Sequence, residues 1–276
     1  MDELVHNGQG TLLVGMTTNK TPMAAMHFHT GYEIYYLIKG ERTYYIKDRK
    51  YPVNEGEIIT VPKGVLHKTG GKGGTRLLII FEEEYLSRYF KPEFIHALLK
   101  NFDTAVLCPL PGKKALVDGK LKLVYNLHRA VLDGDTTVEY RLAMAVFDVI
   151  YTLCEAKNYF TKKDSYSERL SDIMRYINEN YGHLDNGIAG IAERFFISKY
   201  YLCHLFKSSL GLSVIDYVNM VKIREACRLL EDENESVLSV ATKCGFNSGS
   251  YFAKVFKSYM GIGANEYRKK HENPRF

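Results

Sequence analysis

The chain has 276 residues, 46% of them hydrophobic and 25% charged, with a formal net charge of +5. That composition can bury the cores of two ordinary domains and excludes a disordered chain. The excess charge is small and spread over both halves, so bulk charge does not announce a nucleic-acid binder, and such a reading must rest on placement. Five cysteines, Cys108, Cys154, Cys203, Cys227 and Cys244, are scattered without a CxxC pair, which suits reduced thiols better than a disulfide framework. No signal-peptide pattern opens the chain, and no apolar run approaches the roughly 18 residues of a membrane span. The expectation is a cytoplasmic protein with no membrane partner.

The first hundred residues read as all-β. Short runs rich in Tyr, Ile and Val, such as "EIYYLI", "RTYYIK", "EIITVP" and "RLLIIF", alternate with Gly, Pro, Asn and Asp breaks. Their regular spacing predicts a barrel or sandwich. After Pro111 the period changes. "KLKLVYNLHRAVL" and "VEYRLAMAVFDVIYTLCEA" repeat apolar residues at three and four, and "DGDTT" separates them, which predicts a helical hairpin over about 115–157. The polar, basic stretch "KNYFTKKDSYSE", 157–168, reads as a linker, and from Arg169 to Arg268 every element reads as helix.

The helical part contains a repeat. "YLCHLFKSSLG" (201–211) and "YFAKVFKSYMG" (251–261) align without gaps, and upstream "IAER" (191–194) matches "VATK" (240–243) with the offset shortened by one residue. Each copy is a short helix, a tight turn, and a second helix opened by a serine suited to N-capping, Ser198 or Ser248. That is a helix-turn-helix, twice, in which the second helix enters the major groove of double-stranded DNA. Helical spacing turns Leu202, Leu205 and Phe206 inward and leaves Lys199, Tyr200, Cys203 and His204 as candidate base readers, with Lys207 toward phosphate. In the second copy the outward positions are Gly249, Ser250, Ala253, Lys254 and Lys257. These are mostly small, so the second helix is expected to read fewer bases. Tyr201, Phe206, Tyr251 and Phe256 are expected in the core, and "EDENE" (231–235) is expected to be a solvated loop facing away from DNA.

From about Ser171 to Arg268 the chain resembles the DNA-binding domain of AraC/XylS-type transcription regulators. The resemblance is carried by "IAERFFISKYYLCHLFKSSLG", "DYVNMVKIREACRLL" and "VATKCGFNSGSYFAKVFKSYMGIGANEYR". It implies two helix-turn-helix units joined by a central helix, about Val214 to Leu230, holding the recognition helices about one DNA turn, ~34 Å, apart. Val214 and Ala264 stand where the family often has proline, and Lys222 where arginine is usual.

Such regulators often pair this module with a sensor barrel. "HFHTGYEIYYLIKG" (27–40) and "GEIITVPKGVLH" (56–67) together resemble the two motifs of the cupin fold. The resemblance covers about residues 20–85, with Thr21 and Gly71 departing from the usual glycine and asparagine. It implies a metal-ligand set of His27, His29, Glu33 and His67. The chemistry suits it, because a strand would put His27, His29 and Glu33 on one face, and three imidazoles with a carboxylate suit Fe, Mn, Ni, Zn or Cu. The same side chains could instead line an organic pocket and hydrogen-bond a sugar, with Tyr35 sharing the parity of Glu33.

The expected fold is therefore α+β and multidomain. It comprises a cupin β-barrel (jelly roll) over 1–110, a helical hairpin for dimerisation over 111–160, and an all-α DNA-binding domain over 169–270 with helix-turn-helix units at 188–210 and 237–260. The expected function is a non-enzymatic, ligand-responsive transcription regulator. It would bind DNA through Ser198, Lys199, Tyr200, Cys203, His204, Lys207, Ser248, Gly249, Ser250, Lys254 and Lys257, and an effector, sugar-like by preference, through His27, His29, Glu33, Tyr35 and His67. A homodimer is expected, as is RNA polymerase as partner if the protein activates. No cofactor is required by this reading, and a divalent transition metal is compatible with it. The alternatives are a metal-dependent cupin enzyme fused to a DNA-binding module, and a barrel that only dimerises.

Overall fold

A computed structural model describes residues 12–19, 26–46, 49–100, 102–163, 169–184, 187–231 and 235–271. The chain divides near residues 166 and 167 into two compact units. Among the described residues no helix is long and apolar enough to cross a membrane.

The first unit is built on one seven-stranded sheet. Its strands are β1 (Leu12–Asn19), β2 (Tyr32–Ile46), β3 (Arg49–Asn54), β4 (Ile58–Val61), β5 (His67–Phe81), β6 (Ala105–Pro109) and β7 (Phe160–Lys163). The order is β1-β5-β2-β4-β6-β7, with β3 also paired to β2. The tyrosine-rich run of β2 is buried on both faces. Tyr32, Ile34 and Tyr36 join a core that includes Val117, Leu121, Val124 and Val146, while Tyr35 and Leu37 join an interior cluster with Ile59, Val61 and Val106. Two-sided burial explains why this strand is a continuous apolar run rather than an alternating one.

Two bulges then re-aim the long strands. The β2–β5 register shifts between Leu37 and Lys39, and again between Glu41 and Thr43. The first shift adds a residue to β2 and the second adds one to β5. Each reverses the side-chain parity of its strand. Glu33, Tyr35 and Leu37 face the interior before the first bulge; Arg42, Tyr44 and Ile46 face it afterwards.

Three sequence expectations need correction here. The first hundred residues are not all strand, because α1 (Glu83–Ser87) and α2 (Pro92–Leu99) follow β5. Both are too short to show a helical period, and Pro92 is the first residue of α2, where its missing N–H costs nothing. The stretch 157–168 is not simply a linker. Phe160 is buried, and β7 pairs antiparallel with β6 from Val106↔Lys163 to Pro109↔Phe160. Residues 27–31 are not a regular strand either. His27 makes an isolated bridge, His29 lies outside regular structure, and β2 begins only at Tyr32. The hairpin helices are α3 (Lys114–Leu132) and α4 (Glu139–Cys154), tied by a Lys120–Asp148 ion pair.

The second unit is helical: α5 (Arg169–Asn180), α6 (Ile188–Arg194), α7 (Lys199–Leu210), α8 (Val214–Leu230), α9 (Val237–Lys243), α10 (Gly249–Met260) and α11 (Ala264–His271). The central helix α8 needs no proline at its start. Ser213 and Asp216 form a capping box, and Val214 is buried at the first position. Lys222, at the position where arginine was expected, donates to the Gly245 carbonyl at 2.6 Å and lies 5.3 Å from the Phe246 ring centroid. It thereby ties α8 to the turn between α9 and α10.

Candidate nucleic-acid interface and barrel site

In both hairpins a serine fixes the start of the second helix. The Ser198 Oγ accepts from the Tyr201 N–H at 3.1 Å, and the Ser248 Oγ accepts from the Tyr251 N–H at 3.3 Å. Each helix closes on a left-handed glycine, Gly211 or Gly261. Between these caps the buried stripe is Leu202, Phe206 and Leu210 in α7, and Phe252, Val255 and Phe256 in α10. Leu205 is half-buried. The opposite face is open: Ser198, Lys199, Tyr200, Cys203, His204 and Lys207 are exposed, as are Ser248, Gly249, Ser250, Ala253, Lys254 and Lys257. The Tyr200 and His204 rings stack at 6.5 Å, one turn apart on this face.

Two details differ from expectation. Tyr201 and Tyr251 are 44% and 48% exposed, because each lies on the flank between the buried stripe and the open face. The Tyr251 hydroxyl accepts from Asn219 of α8 at 3.3 Å. Part of "EDENE", residues 232–234, lies outside the described residues. Phe196 was not singled out by sequence. It is 93% exposed at φ 53°, in the turn before α7. Matching turn hydrogen bonds, Ile197 N–H to Ala192 O and Phe246 N–H to Ala241 O, place it opposite Gly245 of the second copy. The lack of a glycine there is the signal the sequence offered.

In the barrel, Glu33 is the hub. One carboxylate oxygen lies 3.2 Å from His29 Nε2 and 3.3 Å from His67 Nε2; the other accepts from the Tyr44 hydroxyl at 2.8 Å. The Nδ1 atoms of His29 and His67 face the carbonyls of Gly31 and Val65 at 2.7 and 2.8 Å. A carbonyl accepts only, so Nδ1 carries the proton in both rings. Each Nε2 then either donates to Glu33 as an imidazolium or presents a lone pair. Burial alone would push the Glu33 carboxyl up, but the charge of His67 and the hydrogen bonds from His29 and His67 hold it well below the usual range. Burial lowers His67, and Glu33 more than offsets that, so its pKa is raised. The Gly64 N–H donates to the His29 carbonyl at 2.9 Å, linking the loops that carry the two motifs.

His27, His29 and His67 each offer a ring nitrogen within 4.8 Å of the others. Glu33 adjoins two of them. Three imidazoles converging on one point, two with Nδ1 fixed by backbone carbonyls, fit a divalent transition metal. Tyr35 is fully buried, edge-on to Tyr44 with ring centroids 5.1 Å apart. Arg42 and Arg76 adjoin it. Neither arginine stands out in the sequence, where each only opens a strand-like run, "RTYYIK" or "RLLIIF".

Comparison with known proteins agrees with this architecture. A model described as a helix-turn-helix domain matches residues 191–270, and one described as a cupin domain matches residues 16–81. The HTH-type transcriptional regulator YfiF of Bacillus subtilis is 24% identical over 263 residues, covering 91% of this chain and 80% of that protein. The melibiose operon regulatory protein of Escherichia coli is 23% identical over 265 residues, covering 92% and 86%. Among solved structures, the C-terminal domain of AraT from Geobacillus stearothermophilus is 28% identical over 40% of this chain and 93% of that one, with a TM-score of 0.36. The class is thus a cupin domain followed by a helix-turn-helix DNA-binding domain. More particularly, the chain is similar along most of its length to proteins that carry the names of transcription regulators.

Proposed function

We propose that this regulator is ligand-responsive and sequence-specific: the barrel binds a small molecule, and α7 and α10 read a long DNA site. The observation that carries the DNA assignment is the split of both helices into a fully buried apolar stripe and an open face bearing Lys199, His204, Lys207, Lys254 and Lys257. Lys207 and Lys257 meet phosphate, Tyr200, Cys203 and His204 meet base edges in one groove, and the small residues of α10 let its backbone approach the second. An effector acts by binding two arrangements of the regulator with different affinity. Activation through RNA polymerase and control of sugar utilisation are the favoured setting, supported by the melibiose operon regulator among the relatives.

Dimerisation through the α3–α4 hairpin is part of this reading. So is occupancy of His27, His29 and His67 by a divalent metal, with Glu33 beside it. The deciding experiment is DNA selection by the purified protein followed by titration of the selected site over a salt series. Saturable, sequence-dependent binding is expected, and His204→Ala should relax preference at particular base pairs. Equal binding to all sequences would overturn the reading. Metal content of untagged wild type and His67→Ala tests the metal separately: stoichiometric metal lost in the variant is expected.

A further inference from the structure

The internal repeat separates what α7 and α10 share from what they do not. Over 201–211 and 251–261 five positions are identical: Tyr201 and Tyr251, Phe206 and Phe256, Lys207 and Lys257, Ser208 and Ser258, Gly211 and Gly261. The phenylalanines are buried, and the glycines close their helices in the left-handed conformation. The serine hydroxyls donate back to carbonyls of their own helices, Ser208 to His204 at 2.7 Å and Ser258 to Val255 at 2.8 Å. The lysines stand on the open face, where a phosphate would meet them. The tyrosines remain. Both are exposed, and neither side chain caps its helix, because Ser198 and Ser248 accept from the tyrosine backbone N–H. The Tyr251 hydroxyl accepts from Asn219 of α8 at 3.3 Å, so its own proton is left to give. Its ring is steadied beside Phe246, with centroids 6.1 Å apart.

The other exposed positions have diverged between the copies. Lys199, Tyr200, Cys203 and His204 correspond to Gly249, Ser250, Ala253 and Lys254. Residues that differ between the copies suit a partner that differs between them, as base pairs do. An exposed residue that is the same in both suits a partner that is the same, and along DNA that partner is the sugar-phosphate backbone. Position agrees with this. A helix with its side chains is about 10–12 Å across, and the major groove is about 12 Å wide. The leading face of an inserted helix therefore meets base edges, and its flanks meet the groove walls that carry the phosphates. Tyr201 and Tyr251 lie on such a flank, between the buried stripe and the open face, three residues before His204 and Lys254.

We propose that Tyr201 and Tyr251 each donate the phenolic O–H to a DNA phosphate oxygen, seating α7 and α10 in the groove without reading sequence. This rests on the reading of α7 and α10 as DNA-binding helices and adds their shared backbone contact. The test compares the full-length wild type with Tyr201→Phe, Tyr251→Phe and the double variant, which lose the hydroxyls and keep the rings. Each single variant should bind the selected DNA about tenfold more weakly, as loss of a hydrogen bond to a charged group does, and the double variant more weakly again. A phenol is neutral and releases no counterion, so the slope of log affinity against log salt should stay that of the wild type. The fold loss should be the same on sites carrying single base-pair changes, and the unfolding temperature should not move. Single methylphosphonate linkages placed along the site should include one that weakens the wild type more than Tyr201→Phe, and another that weakens it more than Tyr251→Phe.

A double variant that binds like the wild type would overturn the inference. So would a loss confined to particular base pairs, which would make the tyrosines base readers, or a loss matched by a lower unfolding temperature, which would make the hydroxyls structural. Each of these leaves α7 and α10 as DNA-binding helices. Equal binding of all sequences by the wild type would instead overturn the reading of DNA by these helices, and this inference with it.

Discussion

Phe196 holds a left-handed backbone at φ 53° with its ring in solvent, so its side chain returns little packing for the strain. Such a conformation costs a bulky residue about 1–2 kcal/mol relative to glycine. Phe196→Gly should therefore raise the stability of the second unit by about 1 kcal/mol, seen as a higher unfolding temperature. A drop would mean that the ring makes a stabilising contact. The equivalent position in the second hairpin behaves oppositely: a Cβ on Gly245 would sit 2.6 Å from the Gly182 carbonyl, so Gly245→Ala should destabilise. His128 gives a pH prediction. It is buried in α3, and burial, then the Arg129 charge, lowers its pKa against a backbone contact from Leu12. The unfolded chain takes up this proton near pH ~6.5, the folded chain only at lower pH. Stability should therefore fall as the pH drops below ~6.5, by at most about 1.4 kcal/mol per unit for one proton. His128→Leu should flatten that part of the profile in urea unfolding, and an unchanged difference across pH 5–7 would remove His128 as the cause. Residue-scale legibility was uneven. His29, Glu33 and His67 were legible as a motif, but Arg42 was not, because its inward parity depends on a bulge that only strand pairing creates.

The elements that sequence located best were those with local signals. α8 begins and ends at Val214 and Leu230, the bounds that the resemblance to AraC/XylS-type regulators implies, and Ser198 and Ser248 cap α7 and α10 as their positions demand. β7, α1 and α2 escaped because each is short and is decided by what it packs against: Phe160 is polar-flanked in sequence yet buried in the sheet core. If α7 and α10 read DNA as proposed, their difference predicts unequal roles. α7 exposes Tyr200 and His204 as a stacked pair, whereas α10 exposes Gly249, Ser250 and Ala253 at the corresponding end. Lys207→Ala and Lys257→Ala should each weaken binding to all sequences and reduce the slope of log affinity against log salt by about 1. Full salt dependence in either variant would take that lysine off the phosphate backbone. Base preference should shift with substitutions in α7 and change little with Ser250→Ala.

At the scale of the whole molecule, the α3–α4 hairpin presents, among the described residues, an exposed apolar surface suited to a partner. The Lys120–Asp148 ion pair joins the two helices, and around it the exposed apolar side chains fall at matching steps. Leu116 and Leu123 lie one turn before and after Lys120; Met144 and Tyr151 lie one turn before and after Asp148. In an antiparallel hairpin this gives a nearly symmetric patch with a polar centre, the form that an isologous contact between two copies requires. Two copies joined there would carry four recognition helices and favour a long, repeated DNA site. Met144 is 63% exposed, so Met144→Lys should leave the folded chain intact while placing two like charges at the contact. Sedimentation equilibrium should then show the wild type as a concentration-dependent dimer and the variant shifted to monomer, with affinity for a two-copy site falling more than affinity for half of it. A variant that dimerises as well as the wild type would place the contact elsewhere on the chain.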